Sequence, residues 1–276
     1  MKSFNVKLKN VFYKYPVSEK FALEDITLEF FSGENVVVLG ENGMGKSTLF
    51  LTTNGVYKPT SGEISIGSHI IKDKNDLTSL RKTVGLVFQD PETQFIAPTV
   101  EEEISFGPFN LGMNNEEVRS VVERVLDILD IQKLRKKSLY ALSGGEKKLV
   151  SIASVLALDP KIIIFDEPTA GLDYSNIKLF KEVLEILKKR GIGLVISTHD
   201  INFAWEWAER VIILKDGKVL AEGDTISILS DEKILKESNL EKPDLLKFAE
   251  LIKTEKDIIP RNFTELENII KSIRLG

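Results

Sequence analysis

The sequence predicts an α/β fold built on a mostly parallel core sheet. Three observations carry that expectation. A glycine-rich loop, Gly40-Glu41-Asn42-Gly43-Met44-Gly45-Lys46-Ser47-Thr48, lies between the apolar run 36–39 and a helix opening at Leu49-Phe50-Leu51. A wholly apolar segment, Ile162-Ile163-Ile164-Phe165, reads as a strand buried on both faces and ends in Asp166-Glu167. A helical pattern over about 175–190 (Ile177, Phe180, Val183, Leu184, Leu187) then crosses to the apolar run 194–197, with His199 just beyond it.

Composition narrows the classes. The chain has 276 residues, 42% hydrophobic and 29% charged, so a sizeable core is expected and wholesale disorder is not. A net charge of −5 speaks against a partner such as duplex nucleic acid held through phosphates. With no cysteine, neither a disulfide framework nor a thiolate metal site is possible. Met1 to Asn10 alternates polar and apolar residues without the apolar core of a signal peptide. No apolar run approaches the roughly 18 residues of a spanning helix. The expectation is a soluble chain whose membrane role, if any, comes through a partner.

Each element follows in order. Residues 1–39 read as strands, since Phe4, Val6 and Leu8, then Ile26, Leu28 and Phe30, alternate with polar positions. Tyr13, Tyr15 and Pro16 fall between them in a polar loop; an aromatic there can stack on a base or simply pack at an edge. In the phosphate loop, Gly40, Gly43 and Gly45 let the backbone curl with its N–H groups inward. The helix beginning near Lys46 adds a partial positive charge. Lys46 should reach the β- and γ-phosphates and the Ser47 hydroxyl should sit on Mg²⁺. That helix stops near Asn54-Gly55, Pro59-Thr60-Ser61-Gly62 turns, and Ile64 and Ile66 mark a short strand.

Residues 84–88 form the next strand, ending at Gln89-Asp90-Pro91, and 89–115 reads as a long functional loop with a short helical piece near 100–106. Asn115 caps a helix whose buried face carries Val118, Val121, Val122, Val125, Leu126 and Leu129. The basic patch 133–137 reads as a solvated face. Leu142-Ser143-Gly144-Gly145-Glu146 opens a helix striped by Leu149, Ile152, Ala153 and Leu156. A glycine pair costs a helix start unless something must approach the backbone, so this is either a second anion site or a turn capped by Ser143. At the mouth of the sheet, Asp166 is placed to hold Mg²⁺ and Glu167 to polarise an attacking water. His199 falls at the same mouth, whereas His69, in a polar turn, is given no role. Residues 211–220 make a hairpin through Asp216-Gly217. Residues 226–276 are amphipathic helices without strands, Thr264 and Glu267 forming a capping box before Leu266, Ile269, Ile270 and Ile273.

Taken together, the phosphate loop, Gln89, the Leu142–Glu146 motif, the Asp166-Glu167 strand end and His199 occur in the order that resembles an ATP-binding cassette (ABC) ATPase. The resemblance covers about residues 1–225 and implies a P-loop NTPase fold with an N-terminal antiparallel β part, a helical subdomain at about 90–160 and, beyond 225, a C-terminal helical extension at 226–276. It implies ATP and Mg²⁺ as ligands. Tyr15 would stack on adenine, and Gly40, Asn42, Gly43, Gly45, Lys46, Ser47 and Thr48 would bind phosphates. Gln89 would touch Mg²⁺ and report to the membrane partner. Ser143, Gly144 and Gly145 would contact ATP held by the opposite subunit. Asp166 would be the metal-binding carboxylate, Glu167 the base, Ala170 to Asp173 a loop across the dimer interface, and His199 a switch on the γ-phosphate.

A finer resemblance, carried by 87–91, Gln94-Phe95, Pro98-Thr99-Val100, Phe106-Gly107-Pro108 and Asn110-Leu111-Gly112, is to the energy-coupling factor (ECF) ATPases of cobalt, nickel and vitamin uptake. It implies a transmembrane coupling subunit, a membrane subunit that binds the substrate, and a dimer, homomeric or with a paralogue, at the cytoplasmic face of the membrane. The C-terminal extension would hold the two ATPases together. Leu149 departs from the arginine common in relatives, so a polar contact there is expected to be missing, and Met44 departs from a smaller residue but can turn away from the phosphates. The alternatives are an ATPase of another transporter class, a soluble ABC ATPase of translation or DNA repair, and a small-molecule kinase; the last leaves the Ser143 motif and His199 unexplained.

Overall fold

A computed structural model describes residues 4–252 and 259–274. Strands β1 (Asn5–Tyr13) and β2 (Leu23–Phe31) pair antiparallel, and β3 (Asn35–Leu39) runs into the phosphate loop and α1 (Lys46–Thr53). Strands β4 (Ser61–Ile66) and β5 (His69–Ile70) complete a four-stranded antiparallel sheet of order β2-β1-β4-β5. Helix α2 (Lys74–Thr83) leads to β6 (Val84–Val87), followed by three helices: α3 (Val100–Asn110), α4 (Asn115–Ile128) and α5 (Gly144–Leu156). Next come β7 (Ile162–Phe165), α6 (Tyr174–Lys189), β8 (Gly193–Thr198), α7 (Ile201–Trp207) and the hairpin β9 (Arg210–Lys215) with β10 (Lys218–Asp224). The second sheet has the order β10-β9-β3-β8-β7-β6 and is parallel except for β10. Beyond β10 the described residues are helical: α8 (Thr225–Leu229), α9 (Glu232–Glu237), α10 (Asp244–Ile252) and α11 (Phe263–Arg274).

The period of two along each strand divides the core between two layers. Val36 and Val38 of β3, Ile162 and Ile164 of β7 and Ile212 and Leu214 of β9 face the antiparallel sheet and α1, packing on Phe30, Leu49 and Phe50. Val37, Leu39, Ile163, Phe165, Val211 and Ile213 face the helices, meeting Ile152, Phe180 and Leu184. Because β3, β7 and β8 are buried along their whole lengths, each carries an apolar run, 36–39, 162–165 and 194–196. By contrast β1 and β2 bury alternate residues only. The phosphate loop, Asp166-Glu167 and His199 all leave the parallel sheet at the carboxyl ends of β3, β7 and β8.

A glycine at the start of β8 is required by packing between the sheets. A Cβ on Gly193 would fall 2.1 Å from the backbone oxygen of Phe31. Gly193→Ala should therefore destabilise the fold by about 1–3 kcal/mol, toward the upper end because backbone must give way. The urea midpoint measures this, and an unchanged midpoint would mean that the two sheets slide apart freely.

Several local expectations are corrected. The cap of α4 is Asn114, not Asn115: Asn114 accepts from Glu116 and Glu117 N–H while the Glu117 carboxylate returns to the Asn114 N–H. At α11 the cap is Asn262 with Glu265 rather than Thr264 with Glu267: the Asn262 side-chain oxygen accepts from the Glu265 N–H and its amide donates to the Glu265 carboxylate. Asn is the stronger cap. The side chain of Ile273 lies outside the described residues, as do residues 1–3. The helical piece near 100–106 extends to Asn110 despite Pro108, which removes one N–H from the ladder near the helix end. The 133–137 patch is not simply solvated. Arg135 donates to Glu101 at 2.6 Å, holding that carboxyl below its usual range, and Lys137 pairs with Glu146 at 3.0 Å. Helices α2 and α7 were not expected; Asp73 with Asp76 and Asp200 are the caps that announce them. His69 serves the first of these, bonding Asp76 at 2.6 Å.

Candidate active site

The phosphate loop is clamped on its outer side by the chain's own backbone. A Cβ on Gly40 (φ +153°) would lie 2.6 Å from the Leu214 oxygen, and one on Gly45 (φ +101°) 2.7 Å from the Ala22 oxygen. Both positions need glycine for space and for the left-handed turn. Met44 turns outward: its Sδ accepts from Asp216 N–H at 3.2 Å, and its carbonyl accepts from Gly217 N–H at 3.2 Å. Inside, a cavity of about 300 Å³ is lined by Tyr15, Ala22, Glu41, Asn42, Gly43, Gly45, Lys46, Ser47, Thr48, Gln89 and Glu167. Seven of these are site residues expected in the loop and at position 15; Gln89 and Glu167 arrive from β6 and β7. The Tyr15 hydroxyl bonds Thr48 Oγ1 at 2.8 Å, and its ring meets Tyr13 and Tyr57 edge-on.

Lys46 is 6% exposed. Its ammonium donates to the carbonyls of Gly40 and Glu41 and stands 3.2 Å from Glu167 Oε1. That oxygen makes no directed hydrogen bond and is held by the ion pair alone. Glu167 Oε2 lies 3.2 Å from His199 Nδ1. Glu167 itself has φ +41°, in the left-handed region. Such a conformation costs a non-glycine residue about 1–2 kcal/mol and must be held by its surroundings. The holder is Ser197 of β8, which sequence reasoning passed over. Its hydroxyl accepts from Glu167 N–H at 2.8 Å and donates to Asp166 Oδ1 at 2.6 Å. The only sequence signal was a pair of hydroxyls, Ser197 and Thr198, closing an apolar strand.

Leu149 is buried, and the neighbouring Lys148, which sequence reasoning passed over, donates to the carbonyls of Phe88 at 3.1 Å and Gln89 at 2.9 Å. Burial pushes its ammonium down to about 8, against the opposing charges of Asp90 and Asp166. Glu103, also unforeseen, is buried and accepts from the N–H groups of Ile96 and Ala97. These two residues pin both ends of the segment that follows Gln89.

Ser143, Gly144 and Gly145 do not line the phosphate cavity; they form the N-terminus of α5. Ser143 caps it, accepting from Glu146 N–H, and the Glu146 carboxylate accepts from Ser143 N–H at 2.9 Å. That backbone donor, then Lys137, holds the Glu146 carboxyl below its ordinary range. A Cβ on Gly145 would fall 1.9 Å from Asn176 Oδ1, so a larger residue there requires the Asn176 side chain of α6 to move. A Cβ on Gly144 would meet nothing. The helix start therefore presents one open glycine and one packed one.

The three residues expected to hold a metal carry oxygen donors suited to a hard divalent cation: the Ser47 hydroxyl and the Gln89 amide line the cavity, and the Asp166 carboxylate, its Oδ1 engaged by Ser197, stands beside Glu167 at the end of β7. Among the described residues no group of three or more His, Asp or Glu side chains forms a cage. This set fits Mg²⁺, which typically keeps waters and phosphate oxygens as most of its ligands.

Comparisons with known proteins agree with this geometry. The family model described as "ABC transporter" matches residues 23–170. A putative ABC transporter ATP-binding protein of Methanosarcina acetivorans is 42% identical over 251 residues, covering 91% of this chain and 77% of that protein. The energy-coupling factor transporter ATP-binding protein EcfA of Methanocaldococcus jannaschii is 42% identical over 256 residues, covering 92% and 91%. Among solved structures, cbiO1 from Clostridium perfringens, part of the ABC transporter complex cbiONQ, aligns with a TM-score of 0.75 at 34% identity, covering 91% of this chain and all of that one. The dimeric post-hydrolysis structure of the ATP-binding cassette MJ0796, bound to ADP and Pi, aligns with a TM-score of 0.70 at 33% identity over 80% of this chain and 98% of that one.

Proposed function

The chain belongs to the ABC transporter family, as an ATP-hydrolysing subunit of the ECF type, and on that premise we propose that it drives uptake of a metal ion such as cobalt or nickel, or of a vitamin, through membrane partner subunits. The observation that carries its chemistry is the meeting of Lys46 and Glu167 at 3.2 Å in a cavity floored by the phosphate loop. Lys46 and the loop N–H groups bind and orient the phosphates, and Thr48 lies with Tyr15 at the cavity wall, where the Tyr15 ring stacks on the base. Glu167 takes a proton from the attacking water at a carboxylate oxygen. His199 contacts the γ-phosphate, and Gln89 reports the state of the site to the membrane partner. Ser47, Gln89 and Asp166 would hold Mg²⁺, which neutralises phosphate charge when bound.

Two copies, or this chain and a paralogue, close on two ATP molecules. Each nucleotide lies between one subunit's phosphate loop and the Ser143-Gly144-Gly145 helix start of the other. The dimeric state of the MJ0796 cassette supports this arrangement. Residues 1–225 are then the motor domain, with the helical part at about 90–160. The exposed Ile96, Phe106 and Phe109 offer apolar surface to a transmembrane coupling subunit, and Phe248, Leu251 and Phe263 offer it to the second ATPase from 226–276. No helix among the described residues is long and apolar enough to cross a membrane, which suits peripheral attachment at the cytoplasmic face. Tagged chain drawn from detergent-solubilised native membranes should bring down a transmembrane coupling subunit and a small substrate-binding subunit, identified by mass spectrometry. The small subunit then names the solute. Recovery of ribosomal or DNA-repair proteins instead would move the motor's output elsewhere.

A further inference from the structure

Ser197 is wholly buried near the end of β8, and both of its hydrogen bonds end on residues of the proposed reaction centre. Their directions are fixed by chemistry. The Glu167 N–H can only donate, so the hydroxyl oxygen accepts it at 2.8 Å. The hydroxyl proton is then free for Asp166 Oδ1 at 2.6 Å. Neighbouring residues on a strand point to opposite faces, so Asp166 and Glu167 would part if β7 continued. Instead the Asp166 N–H keeps the ladder to Val87, and the chain breaks away at Glu167 with φ +41°. The N–H of Glu167 leaves the ladder at that step, and Ser197 receives it.

The pairing of β7 with β8, Phe165 beside Ile196, puts Ser197 next in register to Asp166. Two residues later the same strand end delivers His199 to the Glu167 carboxylate. One strand end thus touches Asp166, the Glu167 backbone and the Glu167 side chain.

We propose that Ser197 is a positioning residue of the ATPase, whose hydroxyl orients the Asp166 carboxylate and holds the backbone turn that aims Glu167 at the phosphate cavity. This rests on the reading of Asp166 as metal-binding and Glu167 as base. A residue that merely satisfied a buried N–H would affect folding alone; a positioning residue affects turnover and metal affinity without affecting capture of the nucleotide.

The test compares the full chain with Ser197→Ala and Ser197→Thr, the second keeping a hydroxyl. Steady-state ATPase assays give kcat and KM, and electron paramagnetic resonance gives Mn²⁺ affinity in the presence of a non-hydrolysable ATP analogue. For Ser197→Ala, kcat should fall by about tenfold to a hundredfold, the cost of a misplacement on the order of 1 Å, with KM for ATP within about twofold. Mn²⁺ affinity should weaken by about tenfold or more, on the scale of one lost contact beside a metal ligand. Ser197→Thr should recover most of kcat; if its methyl prevents folding, the Ala variant's kcat and Mn²⁺ affinity decide alone. A kcat that falls only with the nucleotide-binding fraction, at unchanged Mn²⁺ affinity, overturns the proposal. The underlying reading fails separately, by wild-type turnover in Glu167→Gln.

Discussion

Glu167→Gln should bind ATP, accumulate as a closed dimer and turn over at about a hundredth of the wild-type rate or less, the range expected when a general base is removed. The geometry gives each part of that expectation a cause. Gln keeps the size of the side chain and the backbone turn held by Ser197, so the site should not collapse. It loses the charge that occupies Lys46 at 3.2 Å. In the free protein Lys46 is shared among Gly40, Glu41 and Glu167; incoming phosphates compete with Glu167 for it. Removing that competitor should leave ATP affinity equal to wild type or tighter. What Gln lacks is the oxygen that can accept a proton: in the native residue, Oε1 is buried and makes no directed hydrogen bond. Single-turnover hydrolysis, nucleotide titration and gel filtration with ATP measure the three outcomes. Turnover within tenfold of wild type would remove Glu167 from the role of base.

Lys46→Met should weaken ATP binding by about tenfold to a hundredfold, since a charge-assisted hydrogen bond to an anion contributes about 1.5–3 kcal/mol and each 1.4 kcal/mol is tenfold. The same change strands Glu167, which is 9% exposed, with a buried charge and no cation. Breaking a buried pair from one side costs about 3–5 kcal/mol, so the ligand-free variant should also melt lower. The double variant Lys46→Met with Glu167→Gln separates the two effects. It should regain most of the lost stability, because no charge is left alone, and none of the lost affinity. Four melting curves and four ATP titrations complete the cycle. ATP affinity within threefold of wild type in Lys46→Met would mean that the loop N–H groups alone hold the phosphates.

Strand identity was legible from local pattern wherever burial was uniform or strictly alternating. Ile162 to Phe165 had to be a central strand because four apolar residues in a row have no exposed face to spare. Ile26, Leu28 and Phe30 had to share one face because the side-chain period of a strand is two. Where the sequence misled, a longer-range partner decided. Arg135 looks solvated among its basic neighbours, and only the folding of α3 beside it brings Glu101 to 2.6 Å. Lys148 looks like an ordinary charge after Glu146; the return of β6 under α5 makes it a buried clamp on Gln89. The caps at Asn114 and Asn262 were misplaced by a residue or two because several capping residues stood side by side.

What the sequence determined by itself was the chemistry available and its order along the chain: a glycine loop with Lys46 and Ser47, a carboxylate pair after an apolar strand, a serine-capped helix start, a histidine after the next strand. Those depend on residue type and on periodicities of a few residues, which are local properties. Only the tertiary structure decided which of them meet. The parallel order β3-β8-β7-β6 places four strand ends at one mouth, and with them Lys46, His199, Glu167 and Gln89, although they lie far apart in the chain. It also decided that Ser197, unremarked in an apolar strand, should hold the carboxylate pair, and that Ser143 to Gly145 should stand outside the cavity of their own subunit. The reason is physical: strand pairing and register are set by burial summed over whole sheets, and no short window of sequence contains that sum.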